Sequence, residues 1–139
     1  MIEMWFDGAT CVTNPGPTAY GVVVKRDGVT IAEISRTAGA GTSNEAEWDG
    51  IIAALREGLM HGDDEVRIYG DSQLIIEQIQ GNWAIKKQHL RVKKLRADKV
   101  LARYAAAGIK LIISWIPRKQ NSEADVLSKR PFARQFADV

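Results

Sequence analysis

The chain has 139 residues, enough for one domain with a real core and too few for two. At 45% hydrophobic and 26% charged it has the make-up of a folded soluble protein, which excludes a disordered chain, while a net charge of +2 says little about partners. A single cysteine, Cys11, excludes an internal disulfide framework and fits a reducing compartment. The opening Met1-Ile2-Glu3-Met4-Trp5-Phe6-Asp7 has no basic region and meets an acid too early for a signal peptide. No apolar run approaches membrane-spanning length, so a cytoplasmic, monomeric protein with no membrane contact is expected.

No repeat, linker or low-complexity tract divides the sequence, so residues 1–139 are read as one domain with a short tail from Phe132 to Val139. Ile2, Met4 and Phe6 alternate with Glu3, Trp5 and Asp7, the period of a strand. Asn14-Pro15-Gly16-Pro17 makes a turn into a second strand, Tyr20 to Lys25. Asp27-Gly28 is a tight-hairpin signal leading to a third strand, Val29 to Ser35. Thr42 with Glu45 forms a capping box, and Trp48, Ile51, Ile52, Leu55 and Leu59 recur at helical spacing up to His61-Gly62. Val66 and Ile68 belong to a short strand running into Gly70-Asp71, and Ser72 caps a helix reaching Gln80. A long helix from about Gln88 to Ala107 stops at Gly108. Ile109 to Ile116 is an apolar strand closed by Pro117, and a last helix runs from Ser122 to Lys129 before Pro131.

The order βββαβααβα, with right-handed crossovers to the later strands, predicts an α/β fold. Its mixed five-stranded sheet has three antiparallel strands followed by two parallel ones, with helices on both faces. Between Lys86 and Arg103 eight basic residues face one acid, Asp98. That segment suits a phosphate backbone, or simply a solvated helix face.

Four carboxylates fall near one end of this sheet: Asp7 and Asp71 at strand ends, Glu47 early in its helix one turn before inward-facing Ile51, and Asp125 in the last helix. Singly, each has a plain alternative, as a turn acid, a helix-dipole partner, a loop acid or an exposed helix residue. Together they form a set of hard oxygen ligands suited to Mg²⁺ or Mn²⁺.

The segments Phe6-Asp7-Gly8-Ala9 with Asn14-Pro15-Gly16, Thr42-Ser43-Asn44-Glu45-Ala46-Glu47, Gly70-Asp71-Ser72-Gln73, and Trp115-Ile116-Pro117-Arg118 leading to Asn121-Ser122-Glu123-Ala124-Asp125 resemble type 1 ribonuclease H. The resemblance covers nearly the whole chain and is strongest to the compact bacterial and archaeal branch that lacks a basic protrusion. It implies a ribonuclease H-like fold and endonucleolytic hydrolysis of RNA in RNA–DNA hybrids, leaving a 5′-phosphate and a 3′-hydroxyl. It also implies two Mg²⁺ ions, with Mn²⁺ able to substitute: Asp7 shared, Asp125 beside the attacking water, Glu47 and Asp71 beside the leaving group.

For nucleic-acid binding the resemblance implies Asn44 reading 2′-hydroxyls, Thr42 gripping a DNA phosphate and backbone near Cys11 to Asn14 touching RNA. Ser43 stands where many relatives carry a second asparagine, which leaves room for double-stranded RNA as a second substrate. Gln73 belongs to a matching motif. Trp83 falls beside a channel tryptophan and either stacks on a sugar or packs a helix junction. Lys86 and Lys87 stand where larger relatives insert the protrusion. The loop Pro117 to Ser122 has no histidine, so Arg118 or Lys119 is expected to stabilise leaving-group charge, and Asn121 to orient water. Trp5, Trp48 and Trp115 are expected in the core, Cys11 as a small strand residue, and His61 and His89 on the surface. A non-catalytic hybrid-binding module and a same-fold nuclease with another substrate stay open as alternatives.

Overall fold

Three strands at the start of the chain form an antiparallel meander: β1 (Ile2–Thr10), β2 (Gly16–Arg26) and β3 (Val29–Gly41). The computed structural model describes residues 1–133, so of the expected tail Phe132 and Ala133 are described and residues 134–139, Phe136 among them, lie outside the described residues. Asp27 and Gly28, with φ of 51° and 81°, make the two-residue turn that pairs Arg26 with Val29. Helix α1 (Ser43–His61) follows, and both arms of the Thr42/Glu45 capping box are present. Strand β4 (Glu65–Gly70) lies parallel to β1, and β5 (Lys110–Trp115) parallel to β4. Helices α2 (Gln73–Ile79) and α3 (Gln88–Ala107) connect those two strands, and α4 (Ser122–Lys129) follows a 3₁₀ turn at Arg118–Gln120. The strand order is β3-β2-β1-β4-β5, the mixed five-stranded sheet expected.

Helices cover both faces. On one, Met4 and Phe6 of β1 and Val22 and Val24 of β2 pack with Trp48, Ile51 and Leu55 of α1 and Tyr104 of α3, all nearly solvent-free. Each such side chain contributes roughly 1.5–3 kcal/mol by leaving water. On the other face Val23 packs with Ala124 and Leu127 of α4. The alternation within β2 is the strand period seen in three dimensions.

The strands run longer than their alternation suggests. β2 starts inside the expected Asn14–Pro17 turn, and β3 continues to Gly41. The extra stretch of β3, Arg36 to Gly41, lacks an alternating pattern of large apolar residues. It is held by pairing with β2 and by the Thr18 hydroxyl donating to the Gly39 carbonyl at 2.8 Å. Asp7 is accordingly inside β1 rather than at its end.

The tryptophans also separate. Trp48 is core, whereas Trp5 is half-buried, its ring 5.1 Å from Tyr69 with the Lys25 ammonium over it at 5.2 Å. Trp115 is 48% exposed, contrary to the core reading, because β5 ends there at the sheet edge. Its indole N–H donates to the Asp71 carbonyl at 3.1 Å. Cys11 is buried as expected but sits past β1 in the turn, clustered with Ala19 and Phe132. His89 is exposed, while His61 is partly covered and its Nε2 lies 3.2 Å from Glu57.

Candidate active site

The pairing of β1 with β4 stops at Trp5 and Tyr69, so β1 carries on past the point where β4 ends and the chain turns into Asp71. Asp7 lies two residues beyond that last pair. Glu47 reaches it from α1 because the helix presses directly on β1 at Gly8. A Cβ on Gly8 would come within 2.3 Å of the Ala46 carbonyl carbon and 2.4 Å of the Glu47 nitrogen. The Asp7-Gly8 pair, which favours a turn when read alone, is therefore a strand glycine that lets a helix approach. Its N–H donates to both Asp7 Oδ1 at 2.9 Å and Glu47 Oε1 at 3.2 Å.

Oxygens of Asp7, Glu47 and Asp71 lie within 4.8 Å of one another. The fourth acid, Asp125, lines the same open cleft of about 360 Å³, half-exposed and paired with Lys129 at 3.2 Å one helical turn on. Gly8, Ala9, Ser43, Asn44, Ser72, Arg118 and Lys129 make up the rest of its wall. Burial, above all, pushes Asp7 up from 3.8 to about 6; the Glu47 hydrogen bond lowers it and the Asp71 charge raises it. Glu47 is raised well above the ordinary glutamate range, first by burial and then by its hydrogen bond to Asp7 and the charges of Asp7 and Asp71. Glu47 Oε2 is buried with no hydrogen-bond partner.

This donor set fits divalent cations. It offers only carboxylate oxygens, it leaves one of them unsatisfied, and its repulsion is relieved by positive charge. No histidine or cysteine lines the cleft, so a zinc-type set is absent among the described residues.

The remaining expected residues separate into those at the cleft and those away from it. Ser43 and Asn44 line it. Asn14 is bound to Ser43 twice, its amide donating to the hydroxyl at 3.1 Å and its carbonyl accepting from the Ser43 N–H at 3.0 Å. The Thr42 hydroxyl accepts from the Glu45 N–H at 3.2 Å and so caps α1. Cys11 offers no exposed side chain, and its N–H is used by the Pro17 carbonyl at 2.9 Å. Gln73, Trp83, Lys86 and Lys87 are exposed on α2 and the connection to α3, with Trp83 at 45%. Arg118 lines the cleft, whereas exposed Lys119 does not. Asn121 is 1% exposed and outside the cleft lining, and it reaches the site through its amide, which donates to Asp71 Oδ2 at 2.9 Å. Lys129 and Ser72 join the cleft without having been expected. The four-residue spacing of Asp125 and Lys129 on one helix carried the signal for the first.

A sheet of this order, with acids from β1, α1, the end of β4 and α4 on one cleft, defines a ribonuclease H-like domain. The reverse transcriptase-like family model matches residues 5–131. The chain is 39% identical over 128 residues to ribonuclease HI of Halobacterium salinarum, covering 91% of this chain and 62% of that protein. It spans only 31% of related Mycobacterium proteins. The crystal structure of RNase H1 from Halobacterium salinarum superimposes with a TM-score of 0.86 at 36% identity, over 96% of this chain and 98% of that one. LC11-RNase H1 in complex with an RNA/DNA hybrid gives 0.83 at 32% identity, over 94% and 95%. The chain belongs to the ribonuclease H family. Among the described residues no helix is long and apolar enough to cross a membrane.

Proposed function

We propose that this chain is a metal-dependent endonuclease that hydrolyses the RNA strand of RNA–DNA hybrids, leaving a 5′-phosphate and a 3′-hydroxyl, and works as a single-domain monomer in the cytoplasm. The observation that carries the reading is the convergence of Asp7, Glu47 and Asp71, with one Glu47 oxygen unsatisfied, in a ribonuclease H fold. A relative of the same fold is known in complex with an RNA/DNA hybrid, which supports the substrate class.

Asp7 would be shared between two Mg²⁺ or Mn²⁺ ions, Asp125 would serve one and Glu47 with Asp71 the other. Such a pair of cations stabilises the entering and leaving oxygens of an in-line displacement at phosphorus. The chain's own groups do the positioning. Gly8 N–H fixes the rotamers of Asp7 and Glu47 together. Asn44, at the start of α1 on the cleft wall, presents donors and an acceptor to a 2′-hydroxyl in a shallow minor groove. Ser43, with its hydroxyl accepting from Asn14, keeps its own O–H to donate. Thr42 at the α1 N-terminus, where free N–H groups gather, suits a backbone phosphate. Arg118 supplies fixed positive charge on the cleft wall, in place of a titrating acid. Cys11 and Asn14 contact RNA through the turn backbone, Gln73 from the start of α2, and Trp83, Lys86 and Lys87 extend the DNA contact; Lys119 acts at the rim.

Cleavage of an end-labelled RNA–DNA duplex is expected to need a divalent cation, to stop in EDTA and to fall to background in Asp71→Asn. Full activity in that variant sinks the proposal. Running double-stranded RNA alongside measures how far Ser43 relaxes the choice of substrate.

A further inference from the structure

Asn121 sits at the N-cap of α4, where an asparagine ordinarily turns its side-chain oxygen onto the first free N–H groups of the helix. Here it makes no such bond. Its amide nitrogen instead donates to two acceptors, the Phe6 carbonyl and Asp71 Oδ2, each at 2.9 Å. The amide oxygen is left buried with no partner. A flipped amide would set that oxygen against two others, so the orientation is fixed by its neighbours. A residue that gives up its capping bond and tolerates an orphaned oxygen is held there for what its N–H₂ group does.

That group joins two walls of the cleft, and the residue's main-chain carbonyl adds a third. Phe6 immediately precedes Asp7 in β1, and Asp71 is bound directly. Through its main chain, Asn121 also accepts the Asp125 N–H at 3.0 Å. One side chain and its carbonyl thus tie together the supports of three acids, while Gly8 ties in the fourth. Asn121 is 1% exposed and is not among the residues lining the cleft, so its side chain acts on the site through Asp71 and the Phe6 carbonyl.

We propose that Asn121 is a positioning residue that fixes the Asp71 carboxylate against β1 and so sets how tightly the acidic cleft holds divalent cations. This rests on the metal-dependent reading above. Groups behind the ligands of a metal site, when removed, weaken affinity by about 10- to 100-fold. A group acting only in the chemical step leaves affinity alone and lowers the rate at saturating metal.

The test is calorimetric titration of Mn²⁺ alone into the wild-type chain, Asn121→Ala and Asn121→Ser, with melting curves in EDTA to establish folding. Cleavage of an RNA–DNA hybrid across a Mg²⁺ series runs in parallel. The expected result is Mn²⁺ affinity about 10- to 100-fold weaker in Asn121→Ala, with a matching rise in the Mg²⁺ needed for half-maximal cleavage. The rate at saturating Mg²⁺ should stay within a few-fold. Asn121→Ser keeps a donor of shorter reach, is expected in between, and decides the question if the alanine variant does not fold. Unchanged Mn²⁺ affinity in folded variants overturns the proposal, whether or not the rate falls. A wild-type chain that binds Mn²⁺ but cuts no hybrid sinks the ribonuclease reading only, and the calorimetry then decides the role of Asn121 by itself.

Discussion

Replacing Asp7 by asparagine is expected to stabilise the metal-free protein. Asp7 is almost completely buried between Glu47 and Asp71, and its carboxyl is pushed from 3.8 up to about 6, mainly by that burial. A raised carboxyl means that the folded state binds the proton more tightly than the unfolded chain does. The associated stability is complete below pH ~4 and is lost as pH climbs from there through about 6. At ~1.4 kcal/mol for each tenfold change in proton affinity, the loss comes to roughly 3 kcal/mol at neutral pH and above. Asparagine removes the charge and keeps an oxygen for the Gly8 N–H, which now meets Asp7 Oδ1 at 2.9 Å. For a chain of this size the gain corresponds to a melting temperature higher by about 10 °C. Thermal or guanidinium unfolding at pH 8 in EDTA measures it, and the same experiment at pH 4 is the control, where most of the advantage should disappear. Millimolar Mg²⁺ should also narrow the gap, since a bound cation stabilises only the intact acidic set. A variant no more stable than wild type at pH 8, or one with an equal gain at pH 4, refutes the electrostatic argument.

Gly8→Ala is expected to cost on the order of 3 kcal/mol, because the new Cβ would overlap the backbone of Ala46 and Glu47 and force α1 off the sheet. Chemical denaturation measures the loss, and a stability within about 0.5 kcal/mol of wild type would show that the close approach is not rigid. Lys86→Ala with Lys87→Ala should weaken hybrid binding and lower the log–log salt slope by about 2 if both meet phosphates. An unchanged slope assigns the two lysines to solvent.

The acids and their elements were readable because each is marked by local chemistry. The Asp27-Gly28 turn, the Thr42/Glu45 capping box and the α1 periodicity depend on neighbours in sequence, and all three appear as expected. What escaped the sequence depends on distant partners. The role of Gly8 exists only because Ala46 lies against it. Trp115 reads as core in an apolar run, yet it ends an edge strand whose neighbours never cover it. Asn121 reads as a water-orienting residue, since nothing nearby in sequence points to Phe6 or Asp71. The extension of β3 to Gly41 is likewise imposed by pairing with β2.

The bond from Asn121 to the Phe6 carbonyl spans 115 residues of chain. A contact that closes so long a loop carries a loop-closure entropy cost, and the sheet between its ends is what holds them together. The cleft therefore draws on both ends of the chain being held on one sheet. A chain clipped before the N-cap of α4 lacks Asn121 and Asp125 and so cannot assemble all four acids. The complete acidic cleft, in this arrangement, exists only where residues from β1 through α4 are folded together.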